Sequence, residues 1–546
     1  MKNQNLKKVI SAVICTALAA SMMCSCGNES GTRKKNTTPV STVNAVPDAA
    51  DLGLDDLAKL TSTQELSYSI TSSLAKSYKT VGDCNPISSN LFFADPTSVE
   101  YNGRLYVYGT NDQQEFDAKG GSGENSYGAI NTLACYSTDD MVNWTYHGII
   151  PVTKIATWAS CSWAPSIVSR KTAEGKTEFF LYFANSGAGV GVLKSDSPLG
   201  PWEDPIGKAL IAPNTNELAA DPVCWCFDPG AVIDDNGVGW LSIGGGNPMS
   251  PTESARLTGN CRLVRLGQDM VSLDSEIIVV PALYHFEANE LNFINGKYVL
   301  TYCSNWEARN IWPSNSEIPA PTICSMCYMV SSDPLNPESW EYGGEYLANP
   351  NQFGYPTSNN HSHLQKFGDK YYLLYQNVSL LENMGSSAQG FRSIGIDYCD
   401  VDEANVTIKP ASMSDKGVDQ LHSLNPFGIC SATTAATTAG IWYTMDGERT
   451  VVSGDHDGSW IMISDADFAG GANAFAATVK GKGVIEVRLD SKDGKPVGVL
   501  QFNTGDSYDT VSCELSKMVS GTHDLYLVLG GEFCFDEWQF ACLLEK

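Results

Sequence analysis

Three acidic residues open three similar segments of the chain, and their types suit acid–base chemistry. They stand in Ala94-Asp95-Pro96, Phe227-Asp228-Pro229 and Phe286-Glu287-Ala288. A single Asp before Pro is usually a turn residue. Gathered in one pocket, one carboxylic acid could protonate a leaving oxygen while a carboxylate activates water, as glycosidic-bond hydrolysis requires. A third carboxylate nearby would hold the acid protonated, because like charges disfavour a second ionisation.

A repeat links these three segments to two others between about residues 90 and 400. In each, a short opening strand leads through a turn into an aromatic strand that ends near asparagine. The opening residues are Asp95, Ala164, Asp228, Glu287 and His361. Steps between them range from 59 residues (287 − 228) to 74 residues (361 − 287). Asn-Gly pairs, which favour tight hairpin turns, occur at Asn102-Gly103, Asn236-Gly237 and Asn295-Gly296.

The length of the repeat indicates the elements that position these residues. Each repeat can hold a hairpin and further short strands, enough for the four-stranded sheet of one propeller blade. Five repeats therefore predict an all-β, five-bladed β-propeller. Its innermost strands line a central channel, so Asp95, Asp228, Glu287 and His361 should meet there. Glu290 is not expected to be the acid, because an odd offset along a strand reverses the side-chain direction.

Charge and cysteine content exclude other classes of function. The formal net charge of -27 argues against nucleic acid, whose phosphates need clustered Lys and Arg, whereas neutral sugars are compatible with it. The 17 cysteines form no complete zinc set, since Cys324 and Cys327 have CxxC spacing without a second pair. Disulfides and buried thiols both remain open for them.

The first residues predict export. A basic start precedes an apolar run from Val9 to Met23, which is too short for a stable membrane span, and Ser25-Cys26-Gly27 follows. Residues 1–26 are therefore interpreted as a lipoprotein signal peptide, with Cys26 lipidated and the protein anchored outside the cell. An ordinary cleaved signal peptide, giving a secreted protein, is the alternative. Residues 27–84 predict a polar spacer and an N-terminal extension.

The sequence after Asn425-Pro426 forms a separate all-β pattern. Alternating apolar and polar residues at 484–490 and 521–528 are typical of half-buried strands. Residues 426–546 therefore predict a second domain, a β-sandwich of jelly-roll type.

The propeller domain is predicted over residues 85–425, and the stretch from about Asn85 to Asp400 within it resembles glycoside hydrolase family 43. The resemblance rests on seven motifs in order: Ala94-Asp95-Pro96, Trp163-Ala164-Pro165-Ser166, the run from Ser195 to Trp202, Phe227-Asp228-Pro229, Phe286-Glu287-Ala288, Asn359-Asn360-His361 and Phe391-Arg392-Ser393. It implies that Asp95 is the general base, Glu287 the general acid, and Asp228 the residue that tunes and orients the acid. Similar enzymes invert the anomeric centre.

The same resemblance implies further residues of the substrate pocket. Arg392 matches a pocket arginine, and His361 matches a channel histidine that often lies near a calcium ion or ordered water. A structural calcium held near His361 through water is thus compatible with the resemblance, while no cofactor is required. For His361 the alternative is simple packing of the channel. Trp163 could stack on a sugar or pack between blades, and Gln376 stands where similar enzymes often carry histidine.

Residues 426–546 resemble family 6 carbohydrate-binding modules. The resemblance implies sugar stacking on Trp460 and Tyr508. Two departures count against it: Ser431-Ala432-Thr433 replaces a Glu-Ala-Glu run that supports a metal, and Cys534 replaces a cleft asparagine. A purely structural role for the module is the alternative.

These resemblances predict an exo-acting α-L-arabinofuranosidase or β-xylosidase with an inverting mechanism. The expected partners are plant cell-wall polysaccharides, namely arabinoxylan, xylan or arabinan. An endo-arabinanase of the same fold is the alternative enzyme. A surface glycan-binding lipoprotein without activity is the alternative from another class, against which the intact acid trio argues.

Overall fold

The computed structural model describes residues 60–61, 70, 73–215, 224–246, 256–314 and 316–543. The predicted signal peptide, Cys26 and most of the spacer lie outside these residues. The described part is all-β with a few short helices, as expected. No helix within it is long and apolar enough to cross a membrane.

Five antiparallel sheets follow one another along the chain as the blades of a propeller. The strands of blade 1 are Ala94–Tyr101, Arg104–Thr110, Leu133–Thr138 and Trp144–Ile150. Those of blade 2 are Trp163–Lys171, Thr177–Ala184 and Val190–Ser195. Those of blade 3 are Gly230–Ile233, Gly239–Gly244, Cys261–Arg265 and Ile278–Val279. Those of blade 4 are His285–Ile294, Lys297–Ser304, Met326–Ser331 and Glu341–Leu347. Those of blade 5 are Ser362–Phe367, Lys370–Asn377 and Ser393–Cys399.

The ring closes through the first strand of each blade. Each first strand contacts the first strands of the neighbouring blades, and that of blade 5 contacts that of blade 1. Blades 2 and 5 have three described strands instead of the expected four. In blade 2 the fourth position is reduced to two isolated bridges, Lys194 with Glu203, beside the buried Trp202, and Val190 with Ile211. After blade 5, Val401–Asp402 and Thr407–Ile408 form a separate two-stranded ribbon.

Hairpin turns follow the sequence prediction in two blades. Asn102 (φ 51°) with Gly103 (φ 75°), and Asn295 (φ 48°) with Gly296 (φ 76°), both have the two positive φ angles of a type I′ turn. In blade 3 only Gly237 has a positive φ, so that turn is of another type.

Helices are short and lie between strands. The α-helices are Asp112–Ala118, Val152–Ile155 and Ser379–Met384, and the 3₁₀ helices are Pro337–Ser339 and Pro350–Phe353. Apolar clusters fill the space between adjacent blades; one, for example, joins Tyr108 and Leu133 of blade 1 to Phe179 and Leu181 of blade 2. This packing fixes the inner strands and therefore the channel.

The C-terminal module is built on three long strands, Ala472–Leu489, Gly498–Val519 and Thr522–Ala541. Shorter strands complete it: Cys430–Ser431, Thr437–Ala439, Trp442–Asp446, Arg449–Asp455 and Ser459–Asp467. Together they enclose one apolar core that includes Phe475, Ile485, Leu527 and Trp538. The strand Leu60–Thr61 adds in parallel to Ser512 and Cys513.

One strand of the second region belongs to the propeller. Thr434–Ala435 pairs with Thr145 and Trp144, and so forms a fifth strand on the outer edge of blade 1. The Thr434 and Thr145 hydroxyls lie 2.8 Å apart. Asn143 of blade 1 exchanges two hydrogen bonds with the backbone of Ser464. The two regions therefore share a sheet instead of meeting only through a linker.

Candidate active site

In four of the five blades the opening of the inner strand has an unusual backbone. Asp95 (φ 51°), Ala164 (φ 38°), Asp228 (φ 46°) and Ala288 (φ 61°) all adopt left-handed conformations, which side chains other than glycine rarely adopt. In blades 1, 2 and 4 the strand pairing skips at this point, as in a β-bulge. Bulges redirect side chains and are frequent beside active sites. The strain in four blades therefore marks one rim of the channel as functional.

Strand register corrects the assumed equivalence of the three acids. Ala94 lies opposite Thr110 and Glu287 opposite Cys303, so Glu287 corresponds to Ala94, one residue before the left-handed position. Asp95 and Asp228 occupy the left-handed position itself. The three carboxyl groups still lie close enough to interact. Besides burial, the charges of Asp228 and Asp95 both raise the pKa of Glu287.

The argument that excluded Glu290 is also wrong in its geometry. Glu287 faces Cys303 and Glu290 faces Thr301, two residues apart, because the bulge inserts one extra residue between the two glutamates. They therefore lie on the same face of the strand. Glu290 is almost fully buried, and its carboxylate lies 3.3 Å from Nδ1 of His363. Glu287, only half-buried, is the glutamate of the pair that solvent can reach.

Asp95 is held by four neighbours. Its Oδ1 accepts a 2.7 Å hydrogen bond from Arg392 and lies 3.2 Å from His361 Nδ1. Its Oδ2 accepts one of 2.7 Å from the Thr110 hydroxyl, and its backbone N–H donates to Gln376 at 2.8 Å. Burial opposes ionisation, but Arg392 and His361 outweigh it and hold the pKa of Asp95 well below its usual range. Asp95 is thus a carboxylate at neutral pH.

Arg392 is fixed by a second buried acid, Asp112. The guanidinium donates to both oxygens of Asp112 at 2.9 Å, and the backbone N–H of Arg392 donates to the same carboxylate at 3.0 Å. Two parallel bonds of this kind fix the plane of a guanidinium. The Tyr127 ring lies 5.0 Å from the guanidinium carbon. Arg392 is therefore presented to Asp95 in one orientation.

Asp228 and Glu287 have the opposite electrostatic setting. Asp228 Oδ2 accepts a 2.8 Å hydrogen bond from the backbone of Ala288. Burial raises the pKa of Asp228 to about 6. Burial and the neighbouring Asp228 raise the pKa of Glu287 well above its usual value. Asp95 is therefore held in the ionised form, while burial and the negative charge of Asp228 favour the protonated form of Glu287, which is the division of labour between a base and an acid.

His361 lies beside Asp95 and forms part of the same network. Burial opposes its protonation, but Asp95 outweighs burial and raises the pKa of His361. Calcium prefers six to eight oxygen ligands. The described residues contain no group of three or more His, Cys, Asp or Glu side chains able to hold a metal ion, and Nδ1 of His361 is engaged with Asp95. These side chains therefore give a calcium ion no direct ligand set, and a calcium ion held near His361 through water stays a prediction.

Aromatic residues form one wall of the pocket. The Trp163 indole N–H donates to the Tyr127 carbonyl at 3.1 Å, and the two rings lie 6.1 Å apart, edge to face. Trp163 is half-buried, which leaves part of its ring open to a ligand. Burial raises the pKa of Tyr127 to about 12, and Asp95 and Glu287 contribute to the shift, so this ring lies close to the acids.

The module residues expected to stack on sugar have other contacts. Trp460 is 1 % exposed, and its indole N–H donates to the carbonyl of Ala75 in the N-terminal extension. A covered ring cannot offer a face to a sugar, so the expectation for Trp460 is corrected. Tyr508 donates to Asp446 at 2.8 Å, and Arg449 and Lys480 lie 4.9 and 5.0 Å from its ring centre. Sugar stacking on Tyr508 stays a prediction.

Asp112, Thr110 and Tyr127 are site residues that the sequence reasoning missed. Thr110 and Asp112 flank Asn111, the asparagine that closes the first repeat, which was the available signal. Tyr127 lies between strands, outside the repeated pattern. Arg392 and His361 are brought to Asp95 as the resemblance implied.

Comparison with known proteins decides the family. The model of glycosyl hydrolases family 43 matches residues 84–402, more than half of the 546-residue chain. The chain belongs to glycosyl hydrolases family 43. The model of the family 6 carbohydrate-binding module matches residues 431–541. As a member of family 43, the protein is a glycosidase.

Relatives of known activity cover most of this family 43 chain. It is 37 % identical to an arabinoxylan arabinofuranohydrolase of Bacillus subtilis, over 85 % of this chain and 93 % of that protein. It is 36 % identical to an arabinoxylan arabinofuranohydrolase of Paenibacillus polymyxa, over 85 % and 75 % respectively. A crystal structure of a Bacillus subtilis family 43 arabinoxylan arabinofuranohydrolase with cellotetraose superposes with a TM-score of 0.78 at 36 % identity. That match covers 87 % of this chain and all of the solved one.

Proposed function

We propose that this enzyme removes α-L-arabinofuranosyl side groups from arabinoxylan by single displacement, with inversion. The observation that carries the proposal is the contrast between two carboxyl groups: contacts with Arg392 and His361 favour the ionised form of Asp95, whereas burial and Asp228 favour the protonated form of Glu287. The substrate is inferred from the names of the two relatives that are at least 36 % identical over 85 % of the chain.

The reaction assigns each carboxyl group one proton transfer. Water attacks the anomeric carbon and gives its proton to Asp95, while Glu287 donates its proton to the departing glycosidic oxygen. The carbon–oxygen bond to the main chain breaks as the bond to water forms. Asp95 ends protonated and Glu287 ionised, and exchange with solvent restores both. The low pKa of Asp95 makes it a weak base, so it accepts the proton late, when the attacking water has become acidic.

Asp228 acts on Glu287 instead of on the sugar. Its charge opposes ionisation of Glu287, and its hydrogen bond to the Ala288 N–H fixes the backbone next to the acid. Arg392, clamped by Asp112, fixes Asp95 in the same way. Correct placement of reacting groups of this kind supplies a large part of the rate enhancement of enzymes.

Two substrates test the proposal. Purified enzyme is assayed on an aryl α-L-arabinofuranoside and on the aryl β-D-xyloside with the same leaving group. The arabinofuranoside should react faster, and arabinoxylan should release arabinose without shortening of its main chain. NMR should show the first-formed arabinose with inverted configuration; retention would mean that Asp95 attacks the sugar as a nucleophile. Faster cleavage of the xyloside would assign a β-xylosidase, and cleavage of linear arabinan into oligomers an endo-arabinanase.

We also propose that the protein is held outside the cell by a lipid on Cys26. The support is the basic start, the short apolar run and the Ser-Cys-Gly junction of the sequence. Cys26→Ala should move the protein from the membrane fraction to the soluble exported fraction while kcat on the aryl substrate stays unchanged. Cys24, which follows Met23, is the fallback for the lipidated cysteine, so Cys24→Ala is the comparison. Retention of the Cys26→Ala variant in the membrane fraction would contradict the assignment to Cys26.

A further inference from the structure

A cleft of about 290 Å³ lies where blade 1 meets the C-terminal module. We call it the junction cleft and define it by six of its lining residues: Leu91, Asn111, Gln114, Tyr146, Trp442 and Tyr443. Its volume is close to about 300 Å³, where pockets for small molecules begin. That is room for a short stretch of chain and too little for a protein segment with its own fold.

Trp442 gives the junction cleft an aromatic platform. It is 65 % exposed, more than any other large apolar side chain in the described residues. It stands on the edge strand Trp442–Asp446 of the module. Next to it, the rings of Tyr443 and Tyr146 lie 4.8 Å apart and join the two regions. A rigid, exposed aromatic face beside hydrogen-bonding groups is suited to a ligand with one apolar face and many hydroxyls.

Neutral polar side chains also line the cleft. Asn111 is 6 % exposed, and its amide oxygen has no hydrogen-bond partner among the described residues. The amides of Asn90, Gln113 and Gln114 also line the cleft, and the only charged lining residue is Asp117. With no Lys or Arg in its lining, the cleft disfavours anionic ligands and suits a neutral one.

The junction cleft and the active site lie at the same end of blade 1. Thr110, which donates to Asp95, is followed by Asn111 in the cleft and then by Asp112, which clamps Arg392. Three consecutive residues thus connect the catalytic base to the cleft. The cleft therefore lies at the end of blade 1 at which Asp95 also lies.

We propose that the junction cleft binds an unsubstituted stretch of the β-1,4-linked pentose main chain whose side groups the active site removes. The choice of polymer rests on the proposed function; the preference for a neutral saccharide rests on Trp442, the amides and the absence of cationic lining residues. Binding there adds effective concentration of substrate at the channel without taking part in the chemistry.

Affinity electrophoresis in gels containing soluble unsubstituted β-1,4-xylan tests the cleft directly. Trp442→Ala should weaken retention by the xylan about tenfold, as expected for loss of an aromatic anchor. Trp442→Tyr, which keeps a ring, should restore most of it. Met518→Ala is the matched control, since Met518 is 53 % exposed on the same module and lies outside the cleft lining. All variants should keep the wild-type melting temperature, because the altered side chains are exposed.

Kinetics separate the cleft from the active site. Trp442→Ala should raise KM for arabinoxylan several-fold, with unchanged kcat, and leave kcat/KM on the aryl arabinofuranoside at the wild-type value. Wild-type retention of Trp442→Ala by xylan would overturn the proposal, and so would an equal loss on the aryl substrate, which would show a packing role. If wild-type enzyme released no arabinose at all, the proposed function would fail, while the electrophoresis would still decide whether the cleft binds xylan.

Discussion

The propeller channel and the C-terminal module each contain residues that the sequence marked for sugar binding. In the channel these residues meet: Asp95 contacts Arg392 and His361, and its charge reaches Glu287. In the module, Trp460 is buried and donates a hydrogen bond to Ala75 of the N-terminal extension. The ring of Tyr508 contacts the cationic groups of Arg449 and Lys480. A ring of repeats forces equivalent positions to converge, whereas a single matched aromatic has no such constraint. The exposed platform of the module is instead Trp442, which no motif marked.

Replacing the two channel glutamates, one at a time, should give the largest difference in activity. Glu287→Gln should lower kcat on arabinoxylan by about 10²- to 10⁴-fold, because the leaving oxygen loses its proton donor. A substrate with a good leaving group, such as a dinitrophenyl arabinofuranoside, should lose much less. Glu290→Gln is the matched control, since Glu290 lies on the same face but is buried against His363. The assignment fails if Glu290→Gln is the inactive variant and Glu287→Gln is active.

Replacing the two module tryptophans, one at a time, should distinguish a residue that packs in the fold from a residue that binds xylan. Trp460→Ala should lower the free energy of unfolding by about 3–5 kcal/mol, because it leaves a cavity beneath the N-terminal extension. Trp442→Ala should leave that free energy almost unchanged. Chemical denaturation followed by circular dichroism measures both. A stable Trp460→Ala protein that binds xylan poorly would restore Trp460 as a sugar platform.

Loosening the clamp on Arg392 should have an intermediate effect. In Asp112→Asn one charge-assisted hydrogen bond to Arg392 is lost, so Asp95 is positioned less precisely and kcat should fall about 10- to 100-fold. KM for the aryl arabinofuranoside should change little, because Asp112 is buried behind Arg392. Asp369→Asn, in an exposed turn of blade 5, is the control for loss of a negative charge. A rise in KM with unchanged kcat would instead place Asp112 among the groups that bind substrate.

Neutralising Asp228 should produce the smallest change, which is a shift in the pH dependence of kcat. The negative charge of Asp228 raises the pKa of Glu287, so Asp228→Asn lowers that pKa. Glu287 then loses its proton at lower pH, and the alkaline limb of the kcat profile moves to lower pH. The acid limb, governed by Asp95, should stay in place. Profiles of both proteins on the aryl substrate, each measured on the acid and alkaline sides, check the direction; a shift to higher pH would contradict the role of Asp228.

The sequence predicted the features that repeat and missed those that depend on single distant contacts. The similar spacing of the five residues that open the repeats was sufficient to predict the propeller. It was also sufficient to predict that Asp95, Asp228 and Glu287 lie close together. The Asp112–Arg392 clamp joins residues 280 apart that share no motif. The cover on Trp460 comes from Ala75, 385 residues earlier. The direction of Glu290 depended on a bulge, which alternation along a strand does not reveal.

The pairing of Thr434–Ala435 with blade 1 has a consequence for the order in which the protein forms. The Thr434–Thr145 contact spans 289 residues, so blade 1 is the first blade made and the last to receive its outer strand. Domains usually fold as they are synthesised, beginning at the N-terminus. Here a nascent chain that carries all five blades still has a bare strand edge, the kind of edge that invites pairing with another molecule. A chain truncated before Thr434 should therefore be more prone to self-association, before any loss of catalytic groups.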